Sequence, residues 1–177
     1  MKCTIGITVA AAALVTAGAY SGIAVAQQKS GKAGKAMSAE AKRGKYLVQT
    51  TGCNDCHTAG YAPSESKVDE KLWLTGDALG WRGPWGTTYP TNLRLVAASM
   101  TEEQWVIRAT SPQLRPPMPW FNVRDMTPRD VKAIYAYLRY LGPAGQPAPA
   151  YVPPDKTPSG PFVQFPAPPP AKPGAKK

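Results

Sequence analysis

The residues of this chain with the clearest chemical potential are the two cysteines and the histidine of the run Cys53-Asn54-Asp55-Cys56-His57. Two thiols separated by two residues lie on one tight turn, where both can add to the vinyl groups of a single haem. The adjacent imidazole then lies beneath the porphyrin and can ligate the iron. The spacing therefore predicts a covalently attached haem, held by Cys53 and Cys56, with His57 as its proximal iron ligand.

Two other uses of a Cys-x-x-Cys pair are a redox disulfide and half of a zinc site. The disulfide would be expected in a βαβ context, which the sequence does not show. The zinc site would need two further ligands, and the only other cysteine is Cys3. The histidine directly after the second cysteine is an additional constraint that haem attachment satisfies, so haem is the favoured interpretation.

The sequence also limits the ligand on the opposite side of the iron, because His57 is the only histidine. A second imidazole is therefore excluded, and one Cys-x-x-Cys-His motif implies one haem. The soft ligands left after export are Met37, Met100, Met118 and Met126. Met118 is preferred because the proline-rich run from Arg115 to Trp120 has no helical periodicity that would make it a core residue. Met126 is second, and an open or otherwise ligated iron is the remaining alternative.

The N-terminus has the pattern of an export signal. Lys2 precedes an uncharged apolar run from Thr4 to Ala19, and Ala24-Val25-Ala26 matches a small-residue cleavage site. We therefore expect a signal peptide over residues 1–26 and a periplasmic protein. The alternative is an uncleaved membrane anchor, because the stretch from Cys3 to Gln28 carries no charge and is long enough to span a bilayer. Its many Ala, Gly and Thr residues make it only weakly hydrophobic, which favours cleavage.

The formal net charge is +10 over 177 residues, and removal of the expected signal peptide leaves about +9. A basic surface favours redox partner proteins with an acidic docking surface, or an anionic membrane surface, although membrane association is not required. Nucleic acid is not expected as a partner of an exported haem protein. The folded part is less basic than the total suggests, because several lysines fall near the chain ends, at Lys29, Lys32, Lys35, Lys172, Lys176 and Lys177.

Composition divides the rest of the chain into three parts. Residues 27–37 are rich in Gly, Lys and Ala and are expected to form a flexible linker, and residues 38–142 are expected to form one folded domain with one haem. Residues 143–177 contain twelve of the twenty prolines and should run extended over the surface. Part of this tail, residues 151–166, is predicted to lie against the domain because it contains apolar side chains, at Tyr151, Val152, Phe162, Val163 and Phe165.

Three helices are predicted from their start and stop signals. The first begins after Ser38 and ends near Thr51, a shorter one begins at the capping box of Thr101, and the last runs from Pro128 to Leu141. A glycine inside the first helix, Gly44, costs helix stability and therefore predicts a close crossing by another helix. No segment shows the two-residue alternation of a strand, so the predicted class is all-α.

These motifs together resemble those of class I c-type cytochromes, and in particular one haem module of the cytochrome subunits of periplasmic alcohol and sugar dehydrogenases. The resemblance covers about residues 39–142. It rests on the haem motif, on the Gly-x-x-Tyr-x-x-Asn-Leu pattern from Gly86 to Leu93, on Pro117-Met118-Pro119 and on the last helix. Those subunits typically carry several haem modules, whereas this chain contains one motif.

The resemblance implies a cytochrome c fold, in which several helices surround one covalent haem and leave one haem edge exposed for electron exchange. Cys53 and Cys56 match the thioether positions of the family. His57 matches the proximal ligand, and Met118 matches the distal ligand.

The same resemblance implies that the first and last helices cross, through a small residue on one and an aromatic residue on the other. Gly44 against Tyr135 or Tyr137 fits that contact. The two ends of the folded domain are therefore expected to pack together.

Buried haem propionates need hydrogen-bond donors. Residues of suitable types cluster after the haem motif, and the candidates are Arg82, Trp85, Tyr89 and Asn92. The alternative is that Arg82 is solvated and that the aromatic residues are ordinary core.

The function that these expectations support is transfer of single electrons by a periplasmic monohaem c-type cytochrome, between a dehydrogenase or respiratory complex and an acceptor. Such a protein is an electron carrier and not an enzyme by itself. One alternative is a haem subunit whose Pro-rich tail docks it on a dehydrogenase or oxidase. Another is a haem sensor or peroxidase with an open sixth site, against which the missing second histidine argues.

Overall fold

The computed structural model describes residues 36–111 and 113–166. The expected signal peptide, nearly all of the expected linker and the tail beyond residue 166 lie outside the described residues. Within them the chain forms six α-helices, three short strands and a 3-10 turn at Glu70–Leu72. The helices are α1 (Ala39–Thr50), α2 (Cys53–His57), α3 (Leu93–Ala98), α4 (Glu102–Thr110), α5 (Trp120–Arg124) and α6 (Pro128–Leu141). The strands are β1 (Gly80–Gly83), β2 (Gly86–Thr88) and β3 (Phe162–Gln164).

The three predicted helices are present as α1, α4 and α6, and each begins at its predicted cap. The Ser38 hydroxyl accepts from the amide of Ala41 at 3.1 Å. Thr101 and Gln104 form a reciprocal capping box, and the Thr127 side chain caps α6. These bonds satisfy amides that have no partner in the first helical turn. None of the helices within residues 36–111 and 113–166 is long and apolar enough to cross a membrane.

α1 and α6 cross at Gly44, as the glycine predicts. A Cβ atom at this position would overlap the carbonyl oxygen of Ala133 and would lie 2.9 Å from Cβ of Tyr137. The backbone of α6 therefore occupies the space that a side chain would need. Tyr137 is the aromatic partner and is fully buried, whereas Tyr135 donates its hydroxyl to the carbonyl of Met100 at 2.8 Å.

The core lies on the inner face of α6, which contacts α1, α3 and α4. Trp105 of α4 is buried there and donates its indole N–H to the carbonyl of Val131 at 3.1 Å. The Tyr137 hydroxyl donates to a carboxylate oxygen of Glu70 at 2.8 Å. Burial, together with this hydrogen bond, raises the pKa of Tyr137, so the phenol stays protonated and continues to donate.

The buried guanidinium of Arg94 closes the C-terminal end of α6. It donates to the carbonyls of Leu141 at 2.6 Å, Gly142 at 2.5 Å and Lys71 at 2.6 Å. The last carbonyls of a helix have no intrahelical partner and carry partial negative charge, so a cation stabilises them. Burial lowers the pKa of Arg94, because desolvation disfavours the charged form. The contact holds α3, which carries this arginine, against α6.

The short sheet is a departure from the expectation that no strand is present. β1 pairs antiparallel with β2 and parallel with β3, in the order β2-β1-β3. Strands of three or four residues are too short to show an alternation of side chains, which is why the sequence pattern did not predict them. The main elements of the domain are nevertheless helices, as predicted.

Residues 151–165 of the Pro-rich tail contact both sides of the hairpin formed by β1 and β2. Val152 exchanges two backbone hydrogen bonds with Thr87, at 2.7 and 3.0 Å. On the other side β3 pairs with β1, and the ring of Phe165 lies 5.4 Å from that of Trp85. The folded structure therefore extends beyond the last helix.

We predict that Gly44→Ala destabilises the haem-loaded protein, even though alanine is the better helix former. Alanine gains about 0.5–1 kcal/mol of helix propensity over glycine, whereas forcing a methyl group into a packed contact costs about 1–3 kcal/mol. The steric cost should exceed the gain, so the free energy of unfolding in urea should fall. Gly160→Ala is the control, because a Cβ atom there meets nothing within 4 Å. A Gly44→Ala protein as stable as the unaltered one would contradict the close crossing.

We predict that trypsin cuts the native protein slowly after Lys156. Arg82 donates to the carbonyl oxygens of Lys156 at 2.7 Å and of Pro154 at 3.3 Å, so this segment must leave the domain before a protease can bind it. Cleavage should be at least about tenfold slower than in a free peptide of residues 151–166, and Arg82→Gln should accelerate it. Equal rates in protein and peptide would show that the tail is free in solution.

Candidate haem site

α2 carries both cysteines and the histidine of the haem motif on one short helix. Positions three and four apart lie on the same face of a helix, so Cys53, Cys56 and His57 share one side. Both thiols are half-buried and free. The chain enters the helix through Gly52, whose φ of 74° is left-handed and suits glycine. This placement of two thiols beside an imidazole is the one that covalent haem attachment requires.

The imidazole of His57 is buried and held in one orientation. Its Nδ1 lies 2.7 Å from the carbonyl oxygen of Thr91. A carbonyl can only accept, so Nδ1 carries the proton and the lone pair is on Nε2, which is the form that ligates a metal. Burial lowers the pKa of His57, while the hydrogen bond to Thr91 opposes that shift. The ring is therefore kept neutral and available as a ligand.

A short loop from Leu74 to Gly76 connects α2 through hydrogen bonds to the segment that carries Thr91. The amide of Gly76 donates to the carbonyl of His57 at 2.8 Å, and the amide of Leu93 donates to the carbonyl of Leu74 at 3.0 Å. The loop thus bonds to α2 on one side and to the start of α3 on the other. These bonds keep the segment that carries Thr91 close to α2.

The surroundings of the thiols argue against a reactive dithiol. Burial raises the pKa of Cys53, and burial followed by the charge of Asp55 raises the pKa of Cys56. A disulfide oxidoreductase needs a lowered thiol pKa, because the thiolate is the nucleophile. The raised pKa values of the two cysteines therefore argue against redox positions.

The four candidate methionines differ in their surroundings. Met37, Met100 and Met126 are partly buried and pack against the hydrophobic core. Met118 is half-buried in the segment that precedes α5, and its carbonyl accepts from the amide of Trp120 at 2.9 Å. Three of the methionines thus have a packing role, and Met118 is the one placed in a proline-rich loop.

This methionine loop, residues 113–119, is fastened by two neighbouring segments. The Thr88 hydroxyl at the end of β2 donates to the carbonyl oxygen of Pro116 at 2.7 Å. The guanidinium carbon of Arg115 lies 4.0 Å from the ring centroid of Tyr151, which is a cation–π contact. Both contacts fall on the residues just before the methionine.

Three of the four predicted propionate donors bond to the chain itself, and Arg82 and Trp85 are two of them. Arg82 donates to the carbonyls of Pro154 and Lys156, and Trp85 donates its indole N–H to the carbonyl of Trp81 at 3.3 Å. Arg82 is half-buried against the tail, so it is not a freely solvated side chain either. The role of both residues toward a propionate stays a prediction.

Asn92 and Tyr89, the other two predicted donors, have different surroundings. Asn92 caps α3, where its Oδ1 accepts from the amide of Leu95 at 3.1 Å. Its Nδ2 donates to the carbonyls of Ala144 at 2.8 Å and Gln146 at 3.1 Å. Tyr89 lines, together with Asn92, a surface cavity of about 330 Å³. Arg82, Trp85 and Asn92 thus bond to other parts of the chain, Tyr89 lines the cavity, and the role of all four toward the propionates stays a prediction.

Two contributors to the site were not predicted from the sequence. The carbonyl of Thr91 orients His57, and a backbone group leaves no signal in the residue type. Thr58 is buried, donates its hydroxyl to Oδ1 of Asn54 at 2.7 Å and accepts from the amide of Leu74 at 2.8 Å. A threonine directly after the haem motif is a sequence signal that could have indicated the buried hydrogen bonds of Thr58.

The donor set fits a covalently bound haem. Two thiols and a neutral imidazole on one helix face supply the attachment and one axial ligand, and the methionine loop carries a thioether that can supply the other. When bound, this group supplies a one-electron redox centre. The part of the protein is to orient α2 and to hold Nε2 of His57 in position through Thr91.

The fold and the site define a small, mainly helical protein whose two thiols and imidazole fit a covalent haem. The family model for cytochrome c matches residues 41–142, which is more than half of the chain. The chain therefore belongs to the cytochrome c family, and the family implies a covalent haem c.

The chain is also similar to subunits of two kinds of dehydrogenase. It is 33% identical over 106 residues to the fructose dehydrogenase cytochrome subunit of Gluconobacter japonicus. This match covers 54% of this chain and 20% of that protein. It is 30% identical over 123 residues to the alcohol dehydrogenase (quinone) cytochrome c subunits of Gluconacetobacter polyoxogenes and Komagataeibacter europaeus. Each match covers 63% of this chain and 24% of the subunit. The chain thus spans a quarter or less of the length of these relatives. No solved structure matches it.

These comparisons confirm the resemblance to dehydrogenase cytochrome subunits and the helical cytochrome c fold. Membership of the cytochrome c family supports an electron-transfer haem protein.

We predict that Cys53→Ser and Cys56→Ser each lower the yield of haem-loaded protein and that the double change abolishes covalent attachment. Each serine removes one thioether bond, and a domain of about a hundred residues loses the contribution of haem binding to its stability. Haem staining after denaturing electrophoresis measures attachment, and circular dichroism measures the fold.

The control for this prediction is Cys3→Ser, which lies in the expected signal peptide and should retain full haem content. The double variant should be unfolded at ordinary temperature. A helical double variant that unfolds cooperatively without haem would show that the domain does not depend on its cofactor.

Proposed function

We propose that the protein is a periplasmic c-type cytochrome with one haem, which carries single electrons between a dehydrogenase or respiratory complex and an acceptor. The observation that carries this proposal is the arrangement of α2, where both thiols share a helix face with an imidazole whose Nδ1 bonds to the carbonyl of Thr91 at 2.7 Å. The single Cys-x-x-Cys-His motif supports one haem. The export pattern over residues 1–26 supports the periplasm.

Met118 is the proposed distal ligand. A histidine and a thioether that stay bound in both oxidation states keep the geometry nearly unchanged, which favours rapid electron transfer. A soft thioether also favours the ferrous state and raises the reduction potential. The packing of the other three candidate methionines against the core supports this assignment.

The proposed propionate partners remain Arg82, Trp85, Tyr89 and Asn92. A guanidinium has five N–H donors, and Arg82 directs three hydrogen bonds to Thr87, Pro154 and Lys156. Donation to a propionate by the same side chain is therefore chemically compatible with its contacts to the tail. Asn92 has both amide hydrogens engaged, which makes it the weaker candidate.

The proposed partners are redox proteins with an acidic docking surface. Residues 36–166 contain fourteen Lys and Arg against eleven Asp and Glu, while the whole chain contains 21 and 11. The folded part is thus only weakly basic, and much of the positive charge belongs to the terminal residues. Steering of an acidic partner would then depend on ionic strength and on the chain ends.

A second candidate function is that of a haem subunit docked on a dehydrogenase or oxidase through the tail. Phe162 and Val163 of β3 are 39% and 41% exposed, so the outer edge of the sheet retains apolar surface. The similarity to dehydrogenase cytochrome subunits favours the same candidate. A docked subunit stays bound to its partner protein, whereas a free carrier forms only a short-lived complex with it.

We predict that Met118→Ala lowers the reduction potential and lets the ferric protein bind small ligands, because the soft ligand of the iron is lost. Met126→Ala is the matched control. It should leave the potential unchanged and cost about 1–3 kcal/mol of stability through lost packing.

The measurement is the thioether-to-iron absorption band of the ferric protein, followed by a redox titration. The band should vanish in Met118→Ala and persist in Met126→Ala. The reverse result would assign the ligand to Met126, and a five-coordinate spectrum of the unaltered protein would favour a sensor or peroxidase.

A further inference from the structure

The Pro-rich tail pairs with both edges of the hairpin formed by β1 and β2, which lies beside the methionine loop. Val152 pairs with Thr87 of β2 through two backbone hydrogen bonds, at 2.7 and 3.0 Å, and β3 pairs with β1 on the opposite side. A two-stranded hairpin is at best marginally stable in water, and three or more strands are needed for independent stability. The tail therefore completes the small sheet from which Thr88 reaches the loop.

Tyr151 is the tail residue that contacts both the hairpin and the methionine loop. Its hydroxyl donates to the carbonyl of Trp85 at 2.8 Å. A Cβ atom at Gly86 would lie 2.8 Å from the Tyr151 hydroxyl oxygen and 2.9 Å from its Cε2, so the ring is packed against the backbone there. The guanidinium carbon of Arg115 lies 4.0 Å from the ring centroid. The ring thus joins the two segments.

The methionine loop requires such contacts because it is poor in amide donors. Pro116, Pro117 and Pro119 have no N–H group, so they cannot donate backbone hydrogen bonds within the loop. The conformation of the loop must then depend on what its side chains and carbonyls contact. The contacts of Arg115 and of the Pro116 carbonyl act three and two positions before Met118.

We propose that Tyr151 is a positioning residue that keeps Met118 in place as the distal ligand. It acts through the Arg115 guanidinium and through the hairpin strand that carries Thr88. This proposal rests on the ligation of iron by Met118 proposed above. Loss of the Tyr151 contact increases the fraction of molecules in which Met118 is displaced, and an external ligand binds more tightly in proportion to that fraction.

The test is an imidazole titration of the full-length, haem-loaded ferric protein, followed through loss of the thioether-to-iron band. A cation–π contact contributes about 0.5–2 kcal/mol, so Tyr151→Ala should raise the apparent imidazole affinity roughly two- to thirtyfold. Arg115→Ala should raise it by a similar factor. The double variant should exceed either single change by much less than the product of the two factors, because both remove the same contact.

Tyr46→Ala is the matched control. Tyr46 is also an exposed tyrosine beneath an arginine, with the guanidinium carbon of Arg43 5.6 Å from its ring centroid, but it lies on α1. Its removal should leave the imidazole affinity unchanged. Tyr151→Phe keeps the ring over which Arg115 lies. Its imidazole affinity should therefore stay close to that of the unaltered protein.

An imidazole affinity in Tyr151→Ala equal to that of the unaltered protein, with the thioether band present, would overturn the positioning role. If Tyr151→Ala yields no folded protein, Arg115→Ala decides, and an unchanged affinity there would overturn the role in the same way. Two other results would contradict the proposed ligation by Met118 and not the role of Tyr151. In the first, the unaltered protein lacks the thioether-to-iron band. In the second, Met118→Ala binds imidazole no more tightly than the unaltered protein does.

Discussion

The hydrogen bond between Nδ1 of His57 and the carbonyl oxygen of Thr91 joins two segments that are 34 residues apart in the chain. Much of the fold serves to bring them together. The loop around Leu74 bonds to α2 and to the start of α3, and Arg94 holds α3 against the end of α6. α6 in turn crosses α1 at Gly44 without an intervening side chain. The neutral state and the direction of one imidazole therefore depend on packing that runs through the helical core.

The same dependence suits an electron carrier. An axial ligand that moves on oxidation or reduction adds reorganisation energy to every transfer, so a ligand fixed by its own hydrogen bond is an advantage. For His57, the proposed proximal ligand, a backbone carbonyl supplies that hydrogen bond. The proline-rich loop that carries Met118, the proposed distal ligand, has few amide donors of its own and contacts neighbouring segments, one of which belongs to the tail beyond α6.

Local sequence was sufficient for the haem motif, the capped helices and the helix crossing. The spacing of Cys53, Cys56 and His57 is dictated by the cofactor, and the caps at Ser38 and Thr127 satisfy amides of the adjacent helical turn. Both kinds of signal lie within a few residues. The crossing could also be anticipated, because a glycine inside a helix costs stability that a close approach of two backbones can offset.

The individual hydrogen bonds between distant segments were not predictable in the same way. The partner of His57, the sheet and the role of Arg82 all depend on backbone carbonyls or on strands of three or four residues. A carbonyl is the same group in every residue, and so short a strand has no alternation, so neither leaves a pattern in the sequence. The residue type of Arg82 predicts a propionate donor, while its bonds to the tail exist because folding places residues 154 and 156 beside it.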